Sequence, residues 1–278
     1  MKLALAISIH PTSNPDVAFA GDLEATLARL AGMGYDGVEL AIRDPRQVNG
    51  DELVALLRRN GLAAPMLATG QAWGEDRLSF TDADPIIRQA AVERIKSHIE
   101  LAGQLDAMVM LGLIRGLLAR APSREQAMKW LLDAYRECAD FALHRGVRLV
   151  IEPINRFQAD AIFSARDGVE LLAQIGYENV GLALDSFHMN IEDASIEDGI
   201  RLAGDRLFHF HVSDSNRWRP GAGHIDFRSI IAVLRAIGYT AYLSGEFKPL
   251  PDSETAARGC IEHLRPLLNQ GSTPAPTP

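Results

Sequence analysis

Short apolar runs and amphipathic helical stretches take turns along nearly all of this 278-residue chain, and that alternation restricts its fold more than any other feature. Residues 3–9 read as a strand and 23–33 as a helix that Gly34 ends. Residues 37–42 return to a strand, 51–59 form a helix stopped by Gly61, and 62–68 make the third strand. A long loop with Thr69-Gly-Gln71-Ala-Trp73 and Ser79 leads to a helix over 85–104, whose Pro85 sits in the first turn where its missing N–H is not needed. Residues 107–111 are strand four, and Gly112 to Gly116 belong to a second long loop. Ser123 with Gln126 three residues on predicts a capping box for a helix running to His144. Strands at 147–151, 180–184, 207–212 and 241–245 then alternate with helices at 165–175, 196–203, 227–237 and 253–267.

Eight strand–helix units imply a parallel sheet covered by helices and closed on itself, an α/β chain forming a single (β/α)8 TIM barrel. A doubly wound open sheet would need a glycine-rich phosphate turn after the first strand, and His10-Pro-Thr-Ser-Asn-Pro15 offers none. One domain is expected over residues 1–268, with the Pro/Thr-rich 269–278 as a disordered tail. The formal charge of −8 argues against a nucleic-acid partner. Cys138 and Cys260 lie far apart in helical patterns, so a reduced, cytoplasmic protein is expected. No apolar run reaches the ~18 residues of a membrane span. The apolar start reads as a buried strand, not a signal peptide.

Four later runs end on an ionisable residue: Arg148-Leu-Val-Ile-Glu152, Val180-Gly-Leu-Ala-Leu-Asp185, Leu207-Phe-His-Phe-His211 and Ala241-Tyr-Leu-Ser-Gly-Glu246. A carboxylate inside an apolar run is costly to bury without a partner. In a barrel the ends of strands five to eight meet at one mouth, so Glu152, Asp185, His211 and Glu246 should converge there. Three carboxylates and one imidazole form an oxygen-rich site that suits Mn²⁺ best, or Mg²⁺ or Co²⁺, rather than a cysteine-rich zinc site. His209 faces the same way as His211, but its depth in the run predicts a packed, hydrogen-bonded histidine.

That quartet, with Asp185-Ser-Phe-His188-Met-Asn190 and the stretch from His211 through Arg217 and Gly221-Ala-Gly223 to Asp226, resembles the xylose-isomerase-like sugar isomerase/epimerase superfamily. Within it the chain is most similar to the ketose 3-epimerases, such as D-tagatose 3-epimerase, with hydroxypyruvate isomerase a near relative. The resemblance implies one divalent metal on Glu152, Asp185, His211 and Glu246. It also implies that Glu152 and Glu246 form the acid/base pair and that His188 and Arg217 contact substrate oxygens. Gln158 stands where the epimerases usually carry a second glutamate and is a further substrate-binding candidate. Pro153 is more typical of the isomerase relatives.

The physical reading reaches the same reaction class. A hydrogen beside a sugar carbonyl is too weakly acidic for an unaided carboxylate, but a chelated cation stabilises the enediolate. Two bases on opposite faces give epimerisation, and return of the proton to the neighbouring carbon gives aldose–ketose isomerisation. Arg43, Arg115, Arg156, Arg217 and Lys248 all follow strands, so they either hold a sugar acid or phosphate or pair with acids such as Asp44 and Asp214. Arg115 is the substrate-binding candidate of that group. Trp73, Trp218 and Phe247 are candidates to line a sugar pocket, whereas His98, His144 and His263 are expected on helix surfaces. Gly221-Ala-Gly223 reads as a flexible flap. The alternatives are a lyase or dehydratase of a keto-sugar or keto-inositol, an apurinic endonuclease-like nuclease, and a sugar-binding barrel without catalysis. A dimer or tetramer remains open.

Overall fold

The computed structural model describes residues 1–12 and 16–270. Among them, eight parallel strands close into a barrel in sequence order: β1 (Lys2–Ser8), β2 (Gly37–Ala41), β3 (Ala63–Ala68), β4 (Met108–Leu111), β5 (Leu149–Ile151), β6 (Val180–Asp185), β7 (Leu207–Val212) and β8 (Tyr242–Gly245). β8 pairs back onto β1, with Lys2 opposite Tyr242. The expected single (β/α)8 barrel is what the chain forms. The helices are α1 (Leu23–Met33), α2 (Gly50–Arg59), α3 (Gly70–Gly74), α4 (Pro85–Leu105), α5 (Arg124–Leu143), α6 (Ala165–Ile175), α7 (Ser186–Glu192), α8 (Ile196–Ala203), α9 (Phe227–Ala236) and α10 (Ser253–Asn269).

Side-chain alternation sorts the barrel into two packings. Outward residues such as Leu5, Val38, Leu40, Val109, Leu149 and Leu182 join the helices in the main core. Register partners on neighbouring strands share a face, and Ala6, Glu39 and Met66 form such a set on β1, β2 and β3. Met66, Met108, Met110, Val150 and Ala183 make a smaller apolar cluster of their own. His209 is opposite Ala183, and His211 is opposite Asp185 on one side and Ser244 on the other. The polar residues of the site therefore continue the apolar interior toward the carboxyl ends of the strands.

Local signals end the helices where the sequence indicates. Asp22 caps α1 through the Ala25 N–H, and Gly34 closes it at φ 92°, a conformation glycine adopts without strain. Ser123 Oγ accepts from the Gln126 N–H at the start of α5. Two helices were not expected. Thr69 to Trp73 is no loop, since Gly70–Gly74 is the short α3, and β6 runs directly into α7 with Asp185 as its cap. α10 extends through Asn269 with Gln270 at its end, and the remaining tail residues 271–278 lie outside the described residues. His98 is a correction: it is fully buried on α4, its ring nitrogens each 2.9 Å from the carbonyl oxygens of Arg94 and Ile42. His144 is exposed as expected, and His263 is half-buried with its ring edge-on to Phe227. Among the described residues, no helix is long and apolar enough to cross a membrane.

Candidate active site

Strand ends bring the quartet together. Glu152 follows β5, Asp185 ends β6, His211 lies on β7 and Glu246 follows β8. One donor atom from each lies within 4.8 Å of the others. His211 Nδ1 is the hub, 3.2 Å from Glu152 Oε1, 3.3 Å from Glu246 Oε2 and 3.8 Å from Asp185 Oδ2. Asp185 divides its oxygens: Oδ1 accepts the Phe187 N–H at 2.7 Å and Oδ2 faces the cluster.

Arg217 closes the arrangement. Its guanidinium donates to Asp185 Oδ2 at 2.5 Å, to Glu246 Oε2 at 2.6 Å and to Asp16 Oδ2 at 3.3 Å. Burial pushes the Glu152 carboxyl above its ordinary value, and the neighbouring Glu246 and Asp185 push the same way while His211 opposes them. Burial acts on Glu246 too, but Arg217 and His211 outweigh it and hold that carboxyl down at about 2. Asp185 is likewise held low, with Arg217 overcoming burial. His211 is raised well above the imidazole range because Glu39 and Glu246 overcome burial. Three converging carboxylates beside one guanidinium and one imidazole carry surplus negative charge. That donor set fits a hard divalent cation, and no cysteine contributes to it.

A cavity of about 430 Å³ opens beside the quartet, with Glu152, Glu246, Gln158, His188 and Arg217 on its wall. Gln71, Trp73 and Met110 line it elsewhere. Nδ1 of His188 accepts from the Asn155 amide at 2.7 Å, leaving the proton of the neutral ring on Nε2. Burial lowers its pKa to about 4, so the ring is neutral near pH 7.

Arg115 is not among the cavity's residues. It is buried beneath the wall, donating to the Glu152 carbonyl at 2.6 Å and the Ile162 carbonyl at 3.4 Å, so it fixes the backbone at the end of β5. Other expected cations are engaged as well. Arg43 pairs with Asp76 and Glu75, and Arg156 with Glu192. Of the five cations expected at the mouth, Arg217 is on the cavity wall, while Arg43, Arg115, Arg156 and Lys248 are not among its lining residues. Asp44 does pair with arginines, Arg46 and Arg94, while Asp214 accepts backbone N–H groups of Ser215, Gly221 and Ile225. These bonds tie down Gly221-Ala-Gly223, expected to be a flap. A Cβ on Gly221 would stand 2.5 Å from the His263 ring, and one on Gly223 2.2 Å from Asp214 Oδ1. Trp73 lines the cavity, whereas Phe247 is buried in the core and Trp218 is exposed outside the cavity wall.

Sequence reasoning missed Glu39. It is buried on β2, and its Oε2 meets Nε2 of both His209 (3.0 Å) and His211 (2.9 Å). The signal was present: a glutamate inside the apolar run Gly37-Val-Glu39-Leu40 poses the same burial problem as Glu152.

A parallel barrel with a charged cavity at the carboxyl ends of its strands is the architecture of a TIM-barrel enzyme. The profile of the family described as Xylose isomerase-like TIM barrel matches residues 27–267, and the chain belongs to that family. It is 32% identical over 243 residues to an L-ribulose 3-epimerase of Mesorhizobium japonicum, covering 86% of this chain and 80% of the relative. It is 38% identical over 230 residues to a D-psicose 3-epimerase of Enterocloster bolteae, covering 78% of this chain and 74% of the relative. A solved L-ribulose 3-epimerase superposes with a TM-score of 0.82 at 26% identity over 99% of both chains. The protein is an enzyme of the isomerase class, and its relatives support sugar epimerisation.

Proposed function

We propose that this protein is a divalent-metal-dependent ketose 3-epimerase that exchanges a proton at the carbon next to the carbonyl through an enediolate. The observation that carries the reading is the convergence of Glu152 and Glu246, from non-adjacent strands, on one His211 nitrogen at the cavity wall. A divalent ion on Glu152, Asp185, His211 and Glu246, Mn²⁺ by preference and Mg²⁺ or Co²⁺ otherwise, would supply Lewis-acid stabilisation of the charge that builds on the carbonyl oxygen.

The chain's own groups do the rest. Glu246, kept ionised by Arg217 and His211, takes the proton from carbon 3. The C–H electron pair becomes the carbon–carbon double bond, and the carbonyl pair moves onto oxygen. Glu152, whose hold on a proton is strengthened by burial, delivers one to the opposite face of carbon 3, and the carbonyl re-forms. In the reverse direction the two exchange roles. The Nε2–H of neutral His188, the Gln158 amide and Arg217 are the donors for substrate oxygens. With Arg43, Arg115 and Arg156 engaged elsewhere, an uncharged ketose is the substrate class.

Incubating Mn²⁺-loaded protein with L-ribulose and D-psicose, and reading products by NMR and mass, tests the proposal. Products of unchanged mass inverted at carbon 3 are expected. Loss of water would mark the lyase alternative, and no turnover of any ketose would refute the assignment.

A further inference from the structure

We propose that Glu39 is a positioning residue for His211: its carboxylate keeps the imidazole proton on Nε2, so that Nδ1 presents its lone pair to the space shared by Glu152, Asp185 and Glu246. The inference rests on the metal-site reading of those four residues.

A carboxylate only accepts hydrogen bonds. Glu39 Oε2 lies 2.9 Å from Nε2 of His211 and 3.0 Å from Nε2 of His209, so each of those nitrogens carries a proton. Nδ1 of His211 is the hub facing the three carboxylates; with a proton there it donates to Glu152, and with that proton displaced by a cation the ring keeps Nε2–H and its Nδ1 lone pair faces the cation. A lone pair aimed at three anions is unfavourable unless a cation lies between them. Carboxylates that orient a ligating histidine through its other nitrogen serve this purpose.

His209 completes the arrangement without reaching the quartet. Its ring stands edge-on to that of His211, centroids 5.0 Å apart, and its hydrogen bond goes to Glu39. Two N–H groups on one oxygen compensate a charge that the surrounding Met66 and other apolar side chains of the barrel interior do not solvate. A residue placed only to fill this layer would be apolar, as Met66, Met110 and Val150 are. Glu39, His209 and His211 also come within ligating distance of one another. No Glu39 or histidine of this set lines the cavity, however, and the shared oxygen is engaged by both rings.

Two measurements test the proposal on the full chain. Long-range ¹H–¹⁵N NMR of the wild-type protein with diamagnetic Mg²⁺ should show His211 protonated at Nε2 and not at Nδ1; a proton on Nδ1 would overturn the inference and needs no variant. Titration calorimetry of the metal-free protein with Mn²⁺ should give one site per chain, with E39Q binding about 10–100-fold more weakly and the tautomer signature altered. Equal affinity and an unchanged tautomer in E39Q would refute Glu39's role and leave the quartet standing. Two sites in the wild type, one of them lost in E39Q, would make Glu39 a ligand and refute positioning. No Mn²⁺ uptake by the wild type would remove the metal-site reading and this inference together.

Discussion

Replacing Arg217 with methionine separates the electrostatics of the site from its shape. The guanidinium is nearly buried and joins Asp185, Glu246 and Asp16. Its removal leaves buried Asp185 and partly buried Glu246 without the cation that holds both below their ordinary range. A glutamate held from 4.5 down to about 2 favours the folded state by roughly 3 kcal/mol at neutral pH. His211 supplies part of that and Asp185 adds to it, so about 3 kcal/mol is the expected loss in metal-free R217M. That matches the range for breaking a buried ion pair, roughly 3–5 kcal/mol. Because the folded pKa is depressed, the contribution is fully present above the ordinary value and disappears as pH falls toward 2. Thermal melting in EDTA at pH 7 should therefore drop by roughly 6–12 °C, and the gap to wild type should narrow on acidification. Saturating Mn²⁺ should close part of the gap at pH 7, since a dication also compensates the carboxylates. A variant melting within a degree of wild type in EDTA at pH 7 would refute the reasoning.

Two further substitutions probe how the scaffold holds this site. Asp214→Ala strips the buried acceptor of the Ser215, Gly221 and Ile225 N–H groups and loosens the turn in which Arg217 adopts φ 62°. Urea denaturation should show a loss of about 1–3 kcal/mol, and kcat should fall with it; an unchanged kcat would mean the turn does not orient Arg217. His98→Phe leaves the buried carbonyls of Arg94 and Ile42 without their imidazole, so about 1–3 kcal/mol should be lost, whereas exposed His144→Ala should be neutral within about 0.5 kcal/mol. Equal effects at the two histidines would contradict the burial assigned to His98.

The barrel and the quartet were legible for one reason: Glu152, Asp185, His211 and Glu246 each close an apolar run, and a parallel barrel gathers strand ends at one mouth. The run around Glu39 signalled a buried carboxylate needing partners, but not which ones, because His209 and His211 are 170 and 172 residues away. Arg115 follows a strand like Arg217, but that position says nothing about whether the side chain turns into the cavity or under it. Arg43 pairs with Asp76 and Arg156 with Glu192 across 33 and 36 residues, beyond any local pattern. His98 was misjudged although periodicity was available. It falls three and four residues after Ile95 and Arg94 and four before Ala102, on the buried face of α4.

Solvent-deuterium exchange into the ketose addresses the two-glutamate account most directly. In D₂O, Mn²⁺-loaded wild type should place deuterium on carbon 3 of the epimerised product. E152Q and E246Q, each verified as folded, should lose epimerisation by at least about a hundredfold, the scale at which a general acid or base contributes. Epimerisation at the wild-type rate in either variant, or product formed without deuterium at carbon 3, would contradict it.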